Sequence, residues 1–285
     1  MKLNPFYIDA LISKAISEDI EYIDVTTDYL IDENQVDEAY FVAKQSGIIA
    51  GLDIAMRVFE LLDSSFEKTV YKKDGDFVQA GEKIVSFKGH TQALLKGERT
   101  ALNLIQFMSG IATKTHAACQ EVKGYNCRIV DTRKTLPGLR PISKYAVCVG
   151  GGTNHRYNLS DGVMLKDNHI DAGGGIAKTV AKVRSQISFM TKIEVETRDL
   201  AEVQEAIDAG ADVIMLDNMD NSTMKRAVEM IHHRALVEAS GNMSIERLKS
   251  VAACGVDIIS IGALTHSVQA FDISMKFFKK SVDEK

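Results

Sequence analysis

Between residues 131 and 169 the chain concentrates basic side chains next to glycines. The stretch contains eight such groups: Arg133, Lys134, Arg140, Lys144, His155, Arg156, Lys166 and His169. A surface helix would alternate its cations with glutamates for local pairing, and this stretch does not. Pro137, Gly138 and the glycine run at 150–152 instead predict turns between short apolar segments. Because guanidinium and ammonium groups gathered in a cleft favour bound anions, we predict an anion-binding site rather than a set of solvated loops.

The elements that must position these groups alternate short apolar runs with amphipathic helical patterns. Strands are predicted at 128–132, 162–166, 192–196, 212–217, 235–238 and 257–261. Helices are predicted between them, at 200–209, 222–231 and 245–254 among others. This alternation is typical of parallel strands joined by crossover helices. Runs such as VIMLD, which are apolar over nearly their whole length, suit strands that are buried on both faces.

Polar residues or glycines follow each of the apolar runs. They are Arg133, Lys134, Lys166, Glu196, Asp217, Ser240, Gly241 and Gly262. An α/β barrel presents its active site in this way, at the carboxyl ends of all its strands. An open doubly wound sheet would instead concentrate its chemistry at one switch point. Since fewer than eight units are visible, we predict an irregular, incomplete α/β barrel.

The first third of the chain mixes helices with short strands. Helices are predicted from Asn4-Pro5 to Asp19 and over 53–62, a capping turn at 24–27, and strands at 39–43, 47–51 and 66–71. The phrase DGDFVQAGE predicts a turn, a strand and a second turn, and similar phrases occur in biotinyl and lipoyl carriers. Lys88 does not match the hairpin-tip lysine of a carrier, so we interpret the phrase as scaffold. A long helix from Thr91 to a break at Ser109-Gly110 is predicted to join two domains.

Bulk properties exclude several classes of protein. The net charge of −5 argues against a general nucleic-acid binder. No apolar run approaches the roughly 20 residues that span a bilayer. Asp9 and Lys14 interrupt the first apolar pattern, which argues against a signal peptide. The four cysteines show neither CxxC nor zinc-site spacing, which indicates reduced thiols. We therefore expect a soluble, cytoplasmic protein without nucleic-acid or membrane partners.

Taken together, several phrases resemble the quinolinate phosphoribosyltransferase family. They are GERTALN (97–103), SGIAT (109–113), DTRKTLPGLR (131–140), GGGTNHR (150–156), LKDNHI (165–170), EVE (194–196), LDNM (216–219), EASG (238–241) and GVDIISIGALTHS (255–267). They follow the order of the family and extend over nearly the whole chain. The resemblance implies transfer of phosphoribose from phosphoribosyl pyrophosphate to quinolinate with decarboxylation, in the presence of Mg²⁺. It also implies an N-terminal α/β sandwich, which we place at 1–108, and an irregular α/β barrel at 109–269, with a C-terminal helix at 270–285 packing on the sandwich.

The resemblance assigns roles to individual residues of this chain. The carboxylates of quinolinate would be held by Arg99, Arg133, His155 and Arg156, with Thr132 and Lys134 also binding substrate. The phosphoribosyl group would be bound by Lys166, Glu196, Asp217, Ser240, Gly241 and Gly262. Lys134, Glu196 and Asp217 would be catalytic, and the two acids would hold the metal. The family forms homodimers or higher oligomers, in which Arg99 would reach the site of the neighbouring subunit.

Some positions receive a structural interpretation or depart from the family pattern. We place Glu194 on the face of its strand opposite Glu196, His169 in a supporting or capping role rather than as an acid or base, and Met164 and Met215 in the core. Asn242 stands where many relatives have a second glycine, and we expect it to accept left-handed backbone geometry. Other departures are Cys148 and Val149 in place of an arginine, and Ile23 in place of a glycine.

Two other enzymes remain open as alternatives to the quinolinate enzyme. One is a related phosphoribosyltransferase-like paralogue, associated with molybdate transport, that acts on another substrate. The full set of cations, suited to a dicarboxylate, argues against it. The other is a Schiff-base aldolase, because Lys166 ends a strand and a desolvated lysine can act as a nucleophile.

Overall fold

The structure is a computed structural model that describes residues 1–279 and divides into two compact units. The first unit comprises Met1–Lys114, Pro141–Gly150 and Val268–Lys285, the last segment being described as far as residue 279. The second comprises Thr115–Arg140 and Gly151–Ser267. The division falls inside one long helix and assigns a short internal segment to the first unit. The domain boundaries expected after residues 108 and 269 stay predictions.

The elements of the chain as far as the long helix are α1 (Pro5–Asp19), α2 (Thr27–Leu30), β1 (Val36–Ala43), β2 (Gly47–Ile48), α3 (Leu52–Leu62), β3 (Glu67–Val70), β4 (Phe77–Val78), β5 (Lys83–His90) and α4 (Thr91–Glu121). They are followed by β6 (Arg128–Val130), α5 (Arg140–Val149), β7 (Val163–Leu165), α6 (Asp167–Gly173), α7 (Ile176–Arg184), β8 (Ile193–Thr197), α8 (Leu200–Asp208), β9 (Val213–Asp217), α9 (Asn221–Ile231), β10 (Leu236–Ser240), α10 (Ile245–Ala252), β11 (Ile258–Ser260), α11 (Ala263–His266) and β12 (Ile273–Phe277). The predicted mixture of helices with short strands, followed by alternating strands and helices, is confirmed.

The first unit is built on an antiparallel sheet in the order β12–β1–β5–β3. Its core contains the buried rings of Phe41, Phe59 and Phe87, whose centroids lie 5.0 to 6.2 Å apart. Asn4 caps α1 as predicted, since its side chain accepts a hydrogen bond from the Phe6 amide. Asp74, from the DGDFVQAGE phrase, accepts hydrogen bonds from the first amides of α3. The phrase is therefore scaffold, as interpreted.

Two predictions at the edges of this unit are wrong. The helix expected over 270–285 is contradicted by β12, which pairs with β1 from Ala39↔Phe277 to Ala43↔Ile273; residues 280–285 lie outside the described chain. The break expected at Ser109-Gly110 is also absent, because α4 continues to Glu121. A Cβ at Gly110 would lie 2.2 Å from the carbonyl oxygen of Gln269. This glycine therefore lets the backbone at Gln269 pack closely against α4, and it does not end the helix.

The second unit contains a six-stranded parallel sheet in the order β6–β11–β10–β9–β8–β7. All six strands lie where the sequence predicts them. Strands β7 to β11 pair side by side in the order in which they occur in the chain. The first strand, β6, pairs with the last, β11, as it would in a barrel. Between β6 and β7 the described residues form no strand pairing, and only a bridge from Val130 to Thr153 borders the gap. This arrangement agrees with the irregular, incomplete barrel that was predicted.

The sequence did not predict α5, which lies in the stretch where turns were expected, whereas α6 and α7 fall between two predicted strands, where a helix was expected without stated bounds. Helix α5 removes two cations from the predicted anion site. Arg140 donates to the Thr135 hydroxyl and the Tyr157 carbonyl, and Lys144 is fully buried in the first unit.

None of the helices within residues 1–279 combines the length and the apolar character needed to cross a bilayer. All four cysteines are free thiols, and Cys254 is buried. The cytoplasmic location expected from such thiols stays a prediction.

Candidate active site

A pocket of about 440 Å³ lies at the carboxyl ends of the parallel strands, and all six strands contribute to it. Its walls are formed by Thr132, Arg133, Lys134, His155, Arg156, Met164, Lys166, Glu196, Met215, Asp217, Asn218, Glu238, Ser240, Gly241, Asn242 and Ser260. The set includes all but two of the residues that the sequence proposes for substrate binding. Their individual roles stay predictions, but their convergence on one pocket is a feature of the fold. Met164 and Met215 were expected in the core: Met215 is buried as predicted, Met164 is only partly buried, and both also contribute to the pocket wall.

The two remaining residues are Gly262 and Arg99. Gly262 follows β11, and a Cβ at this position would lie 2.8 Å from Cδ of Lys134. The glycine thus makes room for the Lys134 side chain, while the Thr265 hydroxyl donates to the Lys134 carbonyl. Arg99 belongs to the first unit, where its side chain is exposed on α4.

One part of the pocket is cationic, and two arginines there form no ion pair at 4 Å or less with a carboxylate of residues 1–279. Arg133 has a buried Nε that meets no hydrogen-bond acceptor among the described residues. Burial of a donor without a partner is costly, so this N–H favours a ligand that supplies an oxygen. The pKa of Arg156 is lowered, first by its burial and then by the positive charge of Arg133. A carboxylate bound near both guanidinium groups would relieve this repulsion.

The other side of the pocket presents two carboxylates from neighbouring strands. Glu196 lies near the end of β8 and Asp217 at the end of β9. Nζ of Lys166, which follows β7, lies 3.3 Å from Oε2 of Glu196, and the lysine side chain is about half exposed. Arg133 follows β6, whereas Glu196 and Asp217 belong to β8 and β9, and β10 and β11 lie between β9 and β6 in the sheet. We call the lining around Arg133 and Arg156 the cationic wall and the lining around Glu196 and Asp217 the acidic wall.

The loop that contains His155 and Arg156 is held by a buried aspartate. Asp131 accepts hydrogen bonds from the His155 amide at 2.9 Å and from Nδ2 of Asn154 at 2.7 Å. The Thr153 amide donates to the carbonyl of Ile129 in β6. These bonds take the place of strand pairing beside the gap in the sheet and fix where the two basic residues enter the pocket.

Beneath the pocket, His155 contacts two buried glutamates that sequence reasoning did not assign to the site. Nε2 of His155 lies 3.0 Å from Oε2 of Glu194 and 3.3 Å from Oε2 of Glu238. The expectation that Glu194 faces away from Glu196 is wrong, because residues two apart on a strand point to the same side. The available signal was a glutamate in the interior of each of two strands, Glu194 in IEVET and Glu238 in LVEAS. These groups could together ligate a metal ion, but Nε2 already joins them, so we interpret them as a buried ion-pair cluster.

The cluster retains a proton. Burial opposes the charge of His155, but its hydrogen bonds with Glu194 and Glu238 outweigh this and raise its pKa to about 10. Burial also raises the pKa of Glu194. The Arg156 amide donates to Nδ1 of His155 at 2.7 Å, which requires that nitrogen to be unprotonated. A neutral imidazole beside one protonated glutamate satisfies this contact. An imidazolium between two carboxylates would contain the same number of protons. Either way the cluster has a net charge of −1.

Stability is expected to fall as the pH rises from about 6.5 towards 10. The folded protein keeps the proton of the His155 cluster up to about pH 10, whereas an unfolded histidine releases it near pH 6.5. Folding therefore takes up a proton in this range, and the slope for one proton is at most about 1.4 kcal/mol per pH unit. Urea midpoints measured from pH 6 to pH 9.5 test this. Glu238→Gln, which removes one acidic partner, should flatten the slope, and equal slopes in both proteins would contradict the assignment.

The predicted left-handed geometry of Asn242 and the capping role of His169 are both confirmed. Asn242 has φ 46°, next to Gly241 with φ 88°. Nδ1 of His169 accepts a hydrogen bond from the Lys166 amide at the start of α6. The turn at Gly241 and Asn242 follows β10, and the hydrogen bond to His169 fixes the direction in which the chain leaves Lys166.

Comparisons with known proteins agree with this geometry. The chain matches the family models "Quinolinate phosphoribosyl transferase, N-terminal domain" over residues 24–109 and "Quinolinate phosphoribosyl transferase, C-terminal domain" over residues 111–276. It is 45% identical over 273 residues to the "Probable nicotinate-nucleotide pyrophosphorylase (carboxylating)" of Bacillus subtilis, covering 96% of this chain and 94% of that protein. It is 43% identical over 293 residues to the chloroplastic nicotinate-nucleotide pyrophosphorylase (carboxylating) of Arabidopsis thaliana, covering 96% and 84%. The crystal structure of NadC from Streptococcus pyogenes superimposes with a TM-score of 0.94 at 39% identity, covering 98% of this chain and all of that one. The chain therefore belongs to the quinolinate phosphoribosyltransferase family.

Proposed function

We propose that this protein transfers the phosphoribosyl group of phosphoribosyl pyrophosphate to quinolinate with loss of CO₂, in the biosynthesis of NAD. The products are nicotinate mononucleotide, pyrophosphate and CO₂. The observation that supports this best is the convergence in one pocket of two arginines, one with an unsatisfied buried N–H, and of two carboxylates from neighbouring strands. The first suits a flat dicarboxylate, and the second suits a sugar that becomes positively charged as it reacts.

On the cationic wall, Arg133 and Arg156 are the proposed ligands of the quinolinate carboxylates. Their planar guanidinium groups can each make paired hydrogen bonds to a carboxylate, which a lysine cannot. Thr132 and Lys134 lie beside them. His155 has both ring nitrogens in contact with protein groups, so we propose that it supports the position of Arg156 rather than binding a carboxylate directly.

On the opposite wall, the phosphoribosyl group is proposed to bind Lys166 and the turn after β10. Ser240 and Gly241 lie there, and the Ser260 hydroxyl donates to Ser240 at 3.1 Å. Backbone amides in turns of this kind bind phosphate oxygens without a charged side chain. Gly262, whose small size admits Lys134, is proposed to contribute to the same phosphate site.

Mg²⁺ is the proposed metal, and the donor set fits it. Glu196 and Asp217 supply carboxylate oxygens from adjacent strands, and hard oxygen ligands are those that Mg²⁺ prefers. The bound ion would neutralise charge on the pyrophosphate. Glu196 and Asp217 would hold it and face the ribose.

The proposed chemistry needs few proton transfers from the protein. The bond from C1 of the ribose to the pyrophosphate oxygen breaks, and the quinolinate nitrogen forms a bond to C1. Glu196 and Asp217 stabilise the positive charge that develops on the sugar. The ring, now a pyridinium, accepts the electron pair of the departing carboxylate, and a proton replaces CO₂ on that carbon. Lys134 is proposed to stabilise the negative charge that develops there.

A direct assay distinguishes this function from its alternatives. The protein is incubated with quinolinate, phosphoribosyl pyrophosphate and Mg²⁺, and CO₂ and nicotinate mononucleotide are measured together. Equimolar formation of both is expected. Turnover of nicotinate in place of quinolinate, without CO₂, would instead favour the paralogue that acts on another substrate.

The aldolase alternative has less support from the geometry. The Lys166 side chain is about half exposed and paired with Glu196, unlike the desolvated lysine that Schiff-base chemistry uses. Borohydride trapping of a carbonyl substrate on Lys166 would revive it.

We also propose that the active form is at least a homodimer in which Arg99 of one chain completes the site of another. Two inactive variants, Arg99→Ala and Lys134→Ala, should then restore activity when refolded together. In a dimer each mixed pair has one intact site, so about a quarter of wild-type activity is expected from random pairing. Arg133→Ala mixed with Lys134→Ala is the control, because both changes fall on the same unit and should not complement. The absence of recovery in purified heterodimers would refute the sharing of sites.

A further inference from the structure

Two asparagines at the pocket adopt backbone conformations that favour glycine. Asn218 follows β9 with φ 53°, and Asn242 follows the β10 turn with φ 46°. Left-handed geometry is unfavourable for residues with a Cβ, and asparagine tolerates it better than most. Such residues persist where surrounding contacts require them, and they cluster at functional sites. Both asparagines line the pocket.

Their side chains form a chain of hydrogen bonds that ends on Asp217. Nδ2 of Asn218 donates to Oδ2 of Asp217 at 3.0 Å, and Nδ2 of Asn242 donates to Oδ1 of Asn218 at 3.1 Å. The order of donors and acceptors follows from chemistry. A carboxylate only accepts, so Asn218 must turn its NH₂ towards Asp217, and its oxygen then requires a donor, which Asn242 provides.

The backbone around Asn218 holds this arrangement in place. The Asn218 amide donates to the Ser240 carbonyl at 3.0 Å. Its side chain passes directly over Gly241, where a Cβ would lie 2.3 Å from Oδ1 and 2.5 Å from Cγ of Asn218. Gly241 is therefore required for the side chain of Asn218 to occupy this position, in addition to any contact it makes with phosphate.

We infer that Asn218 and Asn242 are positioning residues for Asp217, acting as an amide relay that fixes Oδ2 and leaves Oδ1 for the phosphoribosyl substrate. Asn242 is hydrogen-bonded to Asn218, which is hydrogen-bonded to Asp217, and both asparagines are exposed, so neither contributes to the core. The inference rests on the proposed function, because it assigns the relay to the phosphoribosyl half of the reaction. Quinolinate binding, on the opposite wall, should not depend on it.

Three variants of the relay make different predictions. Asn242→Gly keeps the backbone geometry without strain and removes one donor, so kcat/KM for phosphoribosyl pyrophosphate should fall roughly 3- to 10-fold. Asn242→Asp should be worse, by roughly 10- to 100-fold, because Asn218 would then face an acceptor on each side and could not satisfy both. Asn218→Gly should abolish the influence of residue 242, so the double variant Asn218→Gly/Asn242→Gly should be no worse than Asn218→Gly alone.

A matched control separates the relay from relief of backbone strain. His233 has φ 61° and lies outside the pocket lining, so His233→Gly makes the same kind of backbone change. It should leave kinetics unchanged. Melting temperatures of all variants are measured in parallel, because a purely structural role would move stability in step with activity.

The decisive measurement is calorimetric binding of phosphoribosyl pyrophosphate with Mg²⁺, and separately of quinolinate, to each variant. We expect weaker binding of the first, in the order wild type, Asn242→Gly, Asn242→Asp, and quinolinate affinity within twofold of wild type. Equal losses for Gly and Asp at position 242, or additive losses in the double variant, would overturn the relay. Failure of the wild type to bind phosphoribosyl pyrophosphate at all would instead overturn the proposed function.

Discussion

Asp217→Asn is expected to lower kcat by about 10²- to 10³-fold while leaving quinolinate affinity almost unchanged. Asp217 and Glu196 line the same pocket as Arg133 and Arg156 but belong to β9 and β8, and they are assigned to the ribose and its metal. The substitution keeps the shape of the side chain and removes its charge, so it acts on the developing positive charge of the sugar and not on binding of the dicarboxylate. Steady-state kinetics give kcat, and calorimetry with quinolinate alone gives the affinity.

Glu196→Gln should behave in the same way, and a nearby acid supplies the control. Asp220 caps α9 by accepting a hydrogen bond from the Thr223 amide, and asparagine caps helices equally well. Asp220→Asn therefore makes the same chemical change three residues away and should retain full activity. If quinolinate affinity fell as much as turnover in Asp217→Asn, the assignment of this wall to the phosphoribosyl group would be wrong.

His155→Leu is expected to cost about 3 to 5 kcal/mol of folding free energy, because it leaves two buried acids without their shared partner. Glu194 is 5% exposed and Glu238 1% exposed, and each already has one carboxylate oxygen without a hydrogen bond among the described residues. Leucine fills similar space, so the loss reflects charge and not a cavity. Urea denaturation followed by fluorescence and circular dichroism measures it.

A compensating variant distinguishes this cause from simple loss of packing. His155→Leu/Glu194→Gln/Glu238→Gln has no buried charge left in the cluster and should recover more than half of the lost stability. Recovery of none of it would show that the imidazole ring matters for its shape or for the Arg156 amide contact rather than for its charge.

The strands and the pocket could be predicted because their determinants are local. Each run such as VIMLD is followed at once by the residue that reaches the pocket, here Asp217, and parallel strands bring such residues to one edge. The order of the apolar runs and the polar residue at the end of each run are therefore enough to predict this edge of the sheet. The same holds for Asn4 before α1 and for Asn242 after β10, where one residue type and its neighbours suffice.

The wrong predictions concern residues whose contacts lie far away in the sequence. Gly110 ends a helical pattern locally but packs against Gln269, and residues 273–277 look helical on their own but pair with β1. Glu194 and Glu238 become a site only when β8 and β10 are known to flank β9, with His155 entering between β6 and β7. No single segment contains that information, so propensity and spacing could not supply it.

The position of β12 in the antiparallel sheet imposes an order on synthesis. During translation β1 emerges early, but the strand that covers its edge is residues 273–277, which follow the entire parallel sheet. Until those residues leave the ribosome, β1 exposes an unsatisfied edge that could pair with other chains. The parallel-sheet unit can fold first, whereas the antiparallel sheet of the first unit is complete only when its last strand has been synthesised. A nascent chain stalled before residue 273 would therefore be expected to bind chaperones.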